Sequence, residues 1–108
     1  LSLVKFGALT LTEFVQKTSL NPARHLRLAD RGHLSEGAAA DVTVFDFERQ
    51  KAVETIADGK TIMKDGKLVG RGVTFITTER GRAALEKQGF ATLTVDYSGP
   101  EPERLPAL

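Results

Sequence analysis

No cysteine occurs among the 108 residues, which excludes disulfide staples, thiolate zinc centres, iron–sulfur clusters and cysteine nucleophiles. An excess of either charge is also missing. Fifteen Lys and Arg stand against fourteen Asp and Glu, a net +1, which gives no strong electrostatic grip on nucleic acid or anionic lipid. No apolar run approaches the ~18 residues of a membrane span, and no basic-then-apolar signal segment opens the chain. With cysteine absent, this pattern fits a cytoplasmic protein. The length excludes a complete enzyme barrel, which needs roughly 200 residues. The composition, 41% hydrophobic and 27% charged, is that of one modest folded domain. The chain opens on Leu1 rather than Met, as a processed chain or a piece of a longer protein would.

Groups able to do chemistry are sparse. The histidines, His25 and His33, stand eight residues apart, with neither His-x-His nor His-x-x-x-His spacing. They therefore do not read as a metal pair: His25 reads as a helix-surface residue and His33 as a loop residue bonded to a carbonyl. Asp58 and Asp65 each open an Asp-Gly-Lys tripeptide and read as turn residues. Asp41, just before a strand, reads as an acceptor for backbone donors in the loop preceding it, and neither it nor Asp46 has an evident partner carboxylate for acid–base work. The run from Gly66 through Gly70 to Gly72 lacks the Lys-Ser/Thr and the strand-to-helix setting of a phosphate loop. No catalytic, cofactor-binding or metal-ligating residue is assigned within this chain.

The elements read as follows. Leu1–Gly7 predicts a strand or a packed lead-in. Thr10 and Glu13 form a capping box ahead of an amphipathic helix over Leu11–Ser19. Asn21-Pro22 predicts a restart into a second short helix over Ala23–Leu28. After the turn-rich Gly32–Gly37 link, Asp41–Phe47 predicts a strand with both faces covered. Ala52–Ala57, Lys60–Lys64 and Lys67–Val69 follow as strands, joined by Asp-Gly hairpins. Val73–Thr77 predicts another strand, Thr78–Gln88 a helix stopped by Gly89, and the alternation from Ala91 to Tyr97 a last strand. From Ser98 onward, three prolines predict an extended end. The fold class is α+β: two short N-terminal helices, a small mostly antiparallel sheet, then a helix and a strand.

Three stretches resemble one family in order and spacing. Leu11–Val15 followed by Thr18–Arg24, with Asn21-Pro22-Ala23, resembles the last barrel helix of the amidohydrolase superfamily. Gly32-His33-Leu34, Glu36-Gly37 and Ala40–Asp46 resemble the segment that follows it there. Gly59-Lys60 and Lys64–Val69 resemble the family's closing hairpin. The match runs from about Leu11 to Gly70 and is similar to dihydroorotase-like, enamidase-like and deacetylase-like branches; Gly72 onward matches no feature of the family. The resemblance implies the C-terminal piece of a metal-dependent hydrolase of non-peptide C–N bonds, in which a metal-bound hydroxide attacks a carbonyl. It implies terminal barrel helices at 1–31 and part of a composite β-sandwich at 32–77; the residue pattern adds a helix-plus-strand extension at 78–97 and a proline-rich tail at 98–108. The family's ligands to its divalent metal, expected to be zinc, lie upstream of Leu11. The piece is thus expected to be structural and inactive alone, to have the missing barrel and sandwich strands as partners, and to self-associate without them.

Two other classes compete with this reading. A stand-alone β-rich interaction or ligand-binding module would share the sandwich fold. Ile76–Glu86 also resembles the wing-to-helix segment of winged-helix regulators, but a DNA-binding domain needs a helix-turn-helix before the wing, where this chain predicts strands and Asp-Gly turns.

Overall fold

In the computed structural model the described residues are 1–96, 98 and 99. Tyr97 and most of the expected proline-rich tail lie outside them. Leu1–Gly7 is not a strand: Ser2–Lys5 forms a single helical turn, α1.

Thr10 starts the next helix as its sequence predicts. Its hydroxyl accepts the Glu13 backbone N–H at 3.2 Å, and the Glu13 carboxylate accepts the Thr10 N–H at 2.8 Å. The carboxylate also accepts the Thr10 hydroxyl at 2.9 Å, and the two bonds to it, from the Thr10 backbone first and its hydroxyl second, hold the Glu13 carboxyl below its ordinary value of 4.5. A lowered value means that the cap stabilises the helix fully above pH 4.5 and loses that contribution as pH falls through the folded value. Thr10→Val removes the hydroxyl but keeps the backbone donor. The Glu13 midpoint, followed by carboxyl NMR, is therefore expected to move part of the way back up. An unmoved midpoint would mean that the box does not form in solution.

The helix does not stop at Ser19. α2 (Leu11–Val15), a π turn (Gln16–Leu20) and α3 (Asn21–His25) succeed one another without a break, with Leu20 and Asn21 in helical conformation and the Asn21 N–H on the Gln16 carbonyl. The two expected helices are joined, and Asn21 is a helical residue rather than a cap. Pro22 supplies the reason. It has no N–H for the Thr18 carbonyl, and widening the ladder by one residue re-pairs the backbone around that gap. The rod ends in a Schellman turn at Arg27 (φ 58°), with Leu28 N–H on Ala23 O and Arg27 N–H on Arg24 O.

The sheet has order β1 (Val42–Asp46), β2 (Lys51–Ala57), β3 (Lys60–Lys64), β4 (Lys67–Leu68), all antiparallel. Both Asp-Gly pairs have positive φ at each residue, 49° and 74° at Asp58-Gly59 and 51° and 76° at Asp65-Gly66, as a type I′ hairpin requires. The strand expected to be covered on both faces is an edge strand instead, with Val44, Phe45 and Phe47 each more than 40% exposed.

The remaining elements form a β-α-β unit. β5 (Thr74–Thr77) and β6 (Ala91–Thr94) pair in parallel, and α4 (Glu79–Lys87) crosses between them. Gly89 (φ 83°) ends α4 as its sequence predicts, with Phe90 N–H on Leu85 O. The segment with winged-helix likeness is the β5–α4 half of this unit. The strands and turns before it supply no helix-turn-helix. Leu93 of β6 and Val95 just after it pack back on α3 and the turn that follows it: among the described residues, the buried hydrophobic core is Ala23, Leu28 and Val95, with Leu26 and Leu93 against it.

That core is small. Burying a large aliphatic side chain stabilises by about 1.5–3 kcal/mol, and this chain leaves Leu11, Leu34, Phe45, Phe47, Val73 and Ile76 exposed. The Cα radius of gyration, 15.9 Å, exceeds the roughly 13 Å of a compact chain of this length. No described helix is long and apolar enough to cross a membrane.

Candidate functional site

Sequence order brings three segments together around one groove. α2 contributes Leu11, Phe14 and Val15; the loop after α3 contributes Gly32, His33 and Leu34; β1 contributes Val42, Thr43 and Phe45. The groove encloses about 830 Å³. Phe14 and Phe45 meet edge to face across it, 6.2 Å between ring centroids and 79° between planes. Its lining is mostly hydrocarbon, and Leu11, Leu34 and Phe45 are all exposed. This is the chemistry of a docking face.

The loop from Asp30 to Asp41 is held by polar bonds. Arg31 pairs with one carboxylate oxygen of Asp41, and the other accepts the Asp58 N–H at 2.8 Å. Gly59 N–H reaches the Ala40 carbonyl at 2.9 Å, and Ala39 N–H the Asp30 carbonyl at 2.8 Å. Asp41 thus bolts the loop and the start of β1 to the β2–β3 hairpin. The backbone donor it serves belongs to that hairpin and not, as expected, to the loop before it. Arg31, which the sequence reading passed over, is its partner. An opposite charge ten residues away across a glycine-rich link was the available signal.

The histidines fall where their sequence context put them. His33 Nε2 bonds the Ala29 carbonyl at 2.9 Å, while its Nδ1 faces the Ser35 N–H at 3.4 Å, so Nε2 is the donor. His25 is exposed at the end of α3. Among the described residues no three His, Asp or Glu side chains gather as a metal ion needs, so those residues do not fit the metal implied by the resemblance. Gly70 and Gly72 lie against Ile62 of β3 and lead into β5, with no helix after them to cradle a phosphate.

The sequence profile of the amidohydrolase family matches residues 6–95. The chain belongs to that family. The match runs past Gly72, where the sequence reading found no family feature, and takes in the β-α-β unit. The FhcA polypeptide of the formyltransferase/hydrolase complex Fhc of Methylorubrum extorquens is 37% identical over 94 residues, covering 78% of this chain and 17% of that protein. A dihydroorotase of Clostridium acetobutylicum is 42% identical over 53 residues, covering 49% of this chain and 12% of the enzyme. The crystal structure of the Methylorubrum extorquens FhcABCD complex superposes at a TM-score of 0.54 with 31% identity, over 74% of this chain and 16% of that one. This amidohydrolase chain therefore spans about one-sixth or less of the length of these relatives.

Proposed function

We propose that this chain is the C-terminal part of a metal-dependent amidohydrolase that cleaves a non-peptide C–N bond, in a cyclic amide or an N-acyl group. Its residues buttress and complete that cytoplasmic enzyme and do not carry its chemistry. The observation that carries this reading is a family match over 6–95 in a chain amounting to only 12–17% of its relatives. Ligands to the metal and the groups that move protons belong to the remainder of the parent. In this reading 1–31 closes the barrel, 32–77 is part of the sandwich, 78–97 extends it, and 98–108 is the tail.

What these residues do follows from the groove. α2 and β1 present apolar side chains that nothing in the described residues covers, and the Arg31–Asp41–Asp58 bolt ties the loop between them and the start of β1 to the β2–β3 hairpin. Apolar surface of this extent is unfavourable in water and calls for a partner. The remainder of the parent is that partner. Self-association is the expected consequence when it is missing.

The test is hydrolysis of a panel of cyclic amides and N-acylated amino acids with zinc supplied. The 108-residue chain alone is expected to give no turnover, and the chain joined to its parent is expected to hydrolyse at least one class. Turnover by the chain alone, or none by the joined protein on any member, would overturn the reading.

A further inference from the structure

The tripeptide Asp-Gly-Lys occurs twice, at Asp58–Lys60 and Asp65–Lys67. Both copies make the same two-residue turn, with φ of 49° and 74° at the first pair and 51° and 76° at the second. Both aspartates and both glycines are exposed. The fold thus sets one local sequence in two surroundings, and Asp-Gly has a reactivity of its own. The glycine nitrogen attacks the aspartate Cγ. An N–Cγ bond forms, and the carboxyl hydroxyl leaves as water with the amide proton. The succinimide then takes up water at the aspartate α-carbonyl carbon, where the original peptide bond breaks. The chain now runs through the aspartate side chain, as isoaspartate, with no change in mass and no reactant besides water.

A closed turn resists this reaction. In a type I′ turn the Asp has ψ of about +30°, which leaves its Cβ and the next nitrogen nearly opposite each other across the Cα–C bond. Ring closure needs them eclipsed, so the turn must open first. The two turns differ in what opposes opening. At the first, the Gly59 N–H donates to the Ala40 carbonyl at 2.9 Å, and the Asp58 N–H donates to Asp41 Oδ1 at 2.8 Å. At the second, the Asp65 N–H donates to the Val53 carbonyl at 2.7 Å, but the Gly66 N–H meets no acceptor among the described residues. A Cβ on Gly59 would stand 3.8 Å from the Ala40 Cβ, whereas nothing lies within 4 Å of one on Gly66. The flanking pairs differ too. Ala57 opposes Lys60 across the first turn, while Lys64 opposes Lys67 across the second, a like-charge pair that weakens the ladder. β4 then adds only two residues of pairing.

We propose that Asp65-Gly66 is a site of spontaneous isoaspartate formation, and that Ala40 and Asp41 shield Asp58-Gly59 from the same reaction. The product carries a new α-carboxylate, the group that an isoaspartyl carboxyl methyltransferase esterifies. It also adds a backbone carbon to a turn whose length fixes the β3–β4 register. Conversion therefore releases β4 and the Val69 N–H bond to the Ile62 carbonyl.

The unsubstituted 108-residue chain supplies the test, aged at neutral pH and body temperature with and without concentrated urea. Methylation by an isoaspartyl carboxyl methyltransferase with a labelled methyl donor, followed by peptide mapping, reads each site separately. In the folded chain Asp65 is expected to convert about tenfold faster than Asp58, whose turn has the two further bonds to residues 40 and 41. In urea the two rates should come within about twofold of each other, because no fold distinguishes them. Folded-state rates within twofold, a faster Asp58 or no product at Asp65 would overturn the proposal. A tenfold ratio that survives urea would overturn it as well, by tracing the difference to sequence. Asp41→Ala should raise the Asp58 rate about threefold and leave Asp65 as it was. An unmoved Asp58 rate would remove Asp41 from the shield, and the unsubstituted chain decides the matter if that variant does not fold.

Discussion

Gly32→Ala is expected to destabilise the chain by about 2–4 kcal/mol, from left-handed strain together with overpacking. Gly32 has φ of 80°, and a Cβ there would stand 2.5 Å from the Ser19 carbonyl oxygen and 2.8 Å from the Ala23 Cβ. Neither neighbour can yield easily, since one is backbone within the π turn and the other belongs to the small core. Gly37 provides the internal control. Its φ is 85°, yet nothing lies within 4 Å of a Cβ there. Gly37→Ala therefore carries the backbone strain alone, about 1–2 kcal/mol. Urea unfolding of the two variants separates packing from strain by subtraction. Equal losses would show that the loop does not lie against the helix as described. The consequence reaches the groove, because Gly32 sets the path of His33 and Leu34 along its wall.

Local chemistry made much of this fold legible. Thr10 with Glu13, the two Asp-Gly pairs and Gly89 each require a particular backbone conformation within three or four residues, and each adopts it. What escaped were outcomes set by distant or absent partners. Asn21-Pro22 reads locally as a helix start. The helix passes through it because a π turn accommodates the missing N–H and because Ala23 is held in the core by Leu28 and Val95. The parallel pairing of β5 with β6 depends on α4 crossing over, which alternation along a single strand does not report. β1 reads as covered on both faces because its composition suits burial, while the chain itself leaves that strand an open edge. The groove was not legible in the sequence, since Leu11, Phe14, Leu34 and Phe45 become neighbours only after the loop has folded back.

Asp41→Ala is the other substitution with a large expected effect, about 1.5–3 kcal/mol, the range for hydrogen bonds to a charged group. It removes the acceptor of the Asp58 N–H and the partner of Arg31 in one step. Asp41→Asn should lose about half as much, since a side-chain oxygen still accepts the Asp58 N–H while the charge attraction to Arg31 is gone. Both partners of the ion pair are about one-third exposed, at 33% and 39%. The attraction is therefore partly screened by solvent, and most of the loss should come from the hairpin bond. Hydrogen exchange distinguishes the two contributions. In Asp41→Ala the Asp58 amide should lose protection, whereas the Gly59 amide, bonded to the Ala40 carbonyl, should keep more of it. Combining Asp41→Ala with Arg31→Met should cost little beyond Asp41→Ala alone, as expected of residues sharing one contact. Fully additive losses, or an Asp58 amide protected as before, would remove Asp41 from its role as the bolt between loop and hairpin. If the role holds, the same substitution in the proposed parent hydrolase should lower thermal stability and leave turnover per folded molecule unchanged. Asp41 then holds the groove in place without touching the reacting groups.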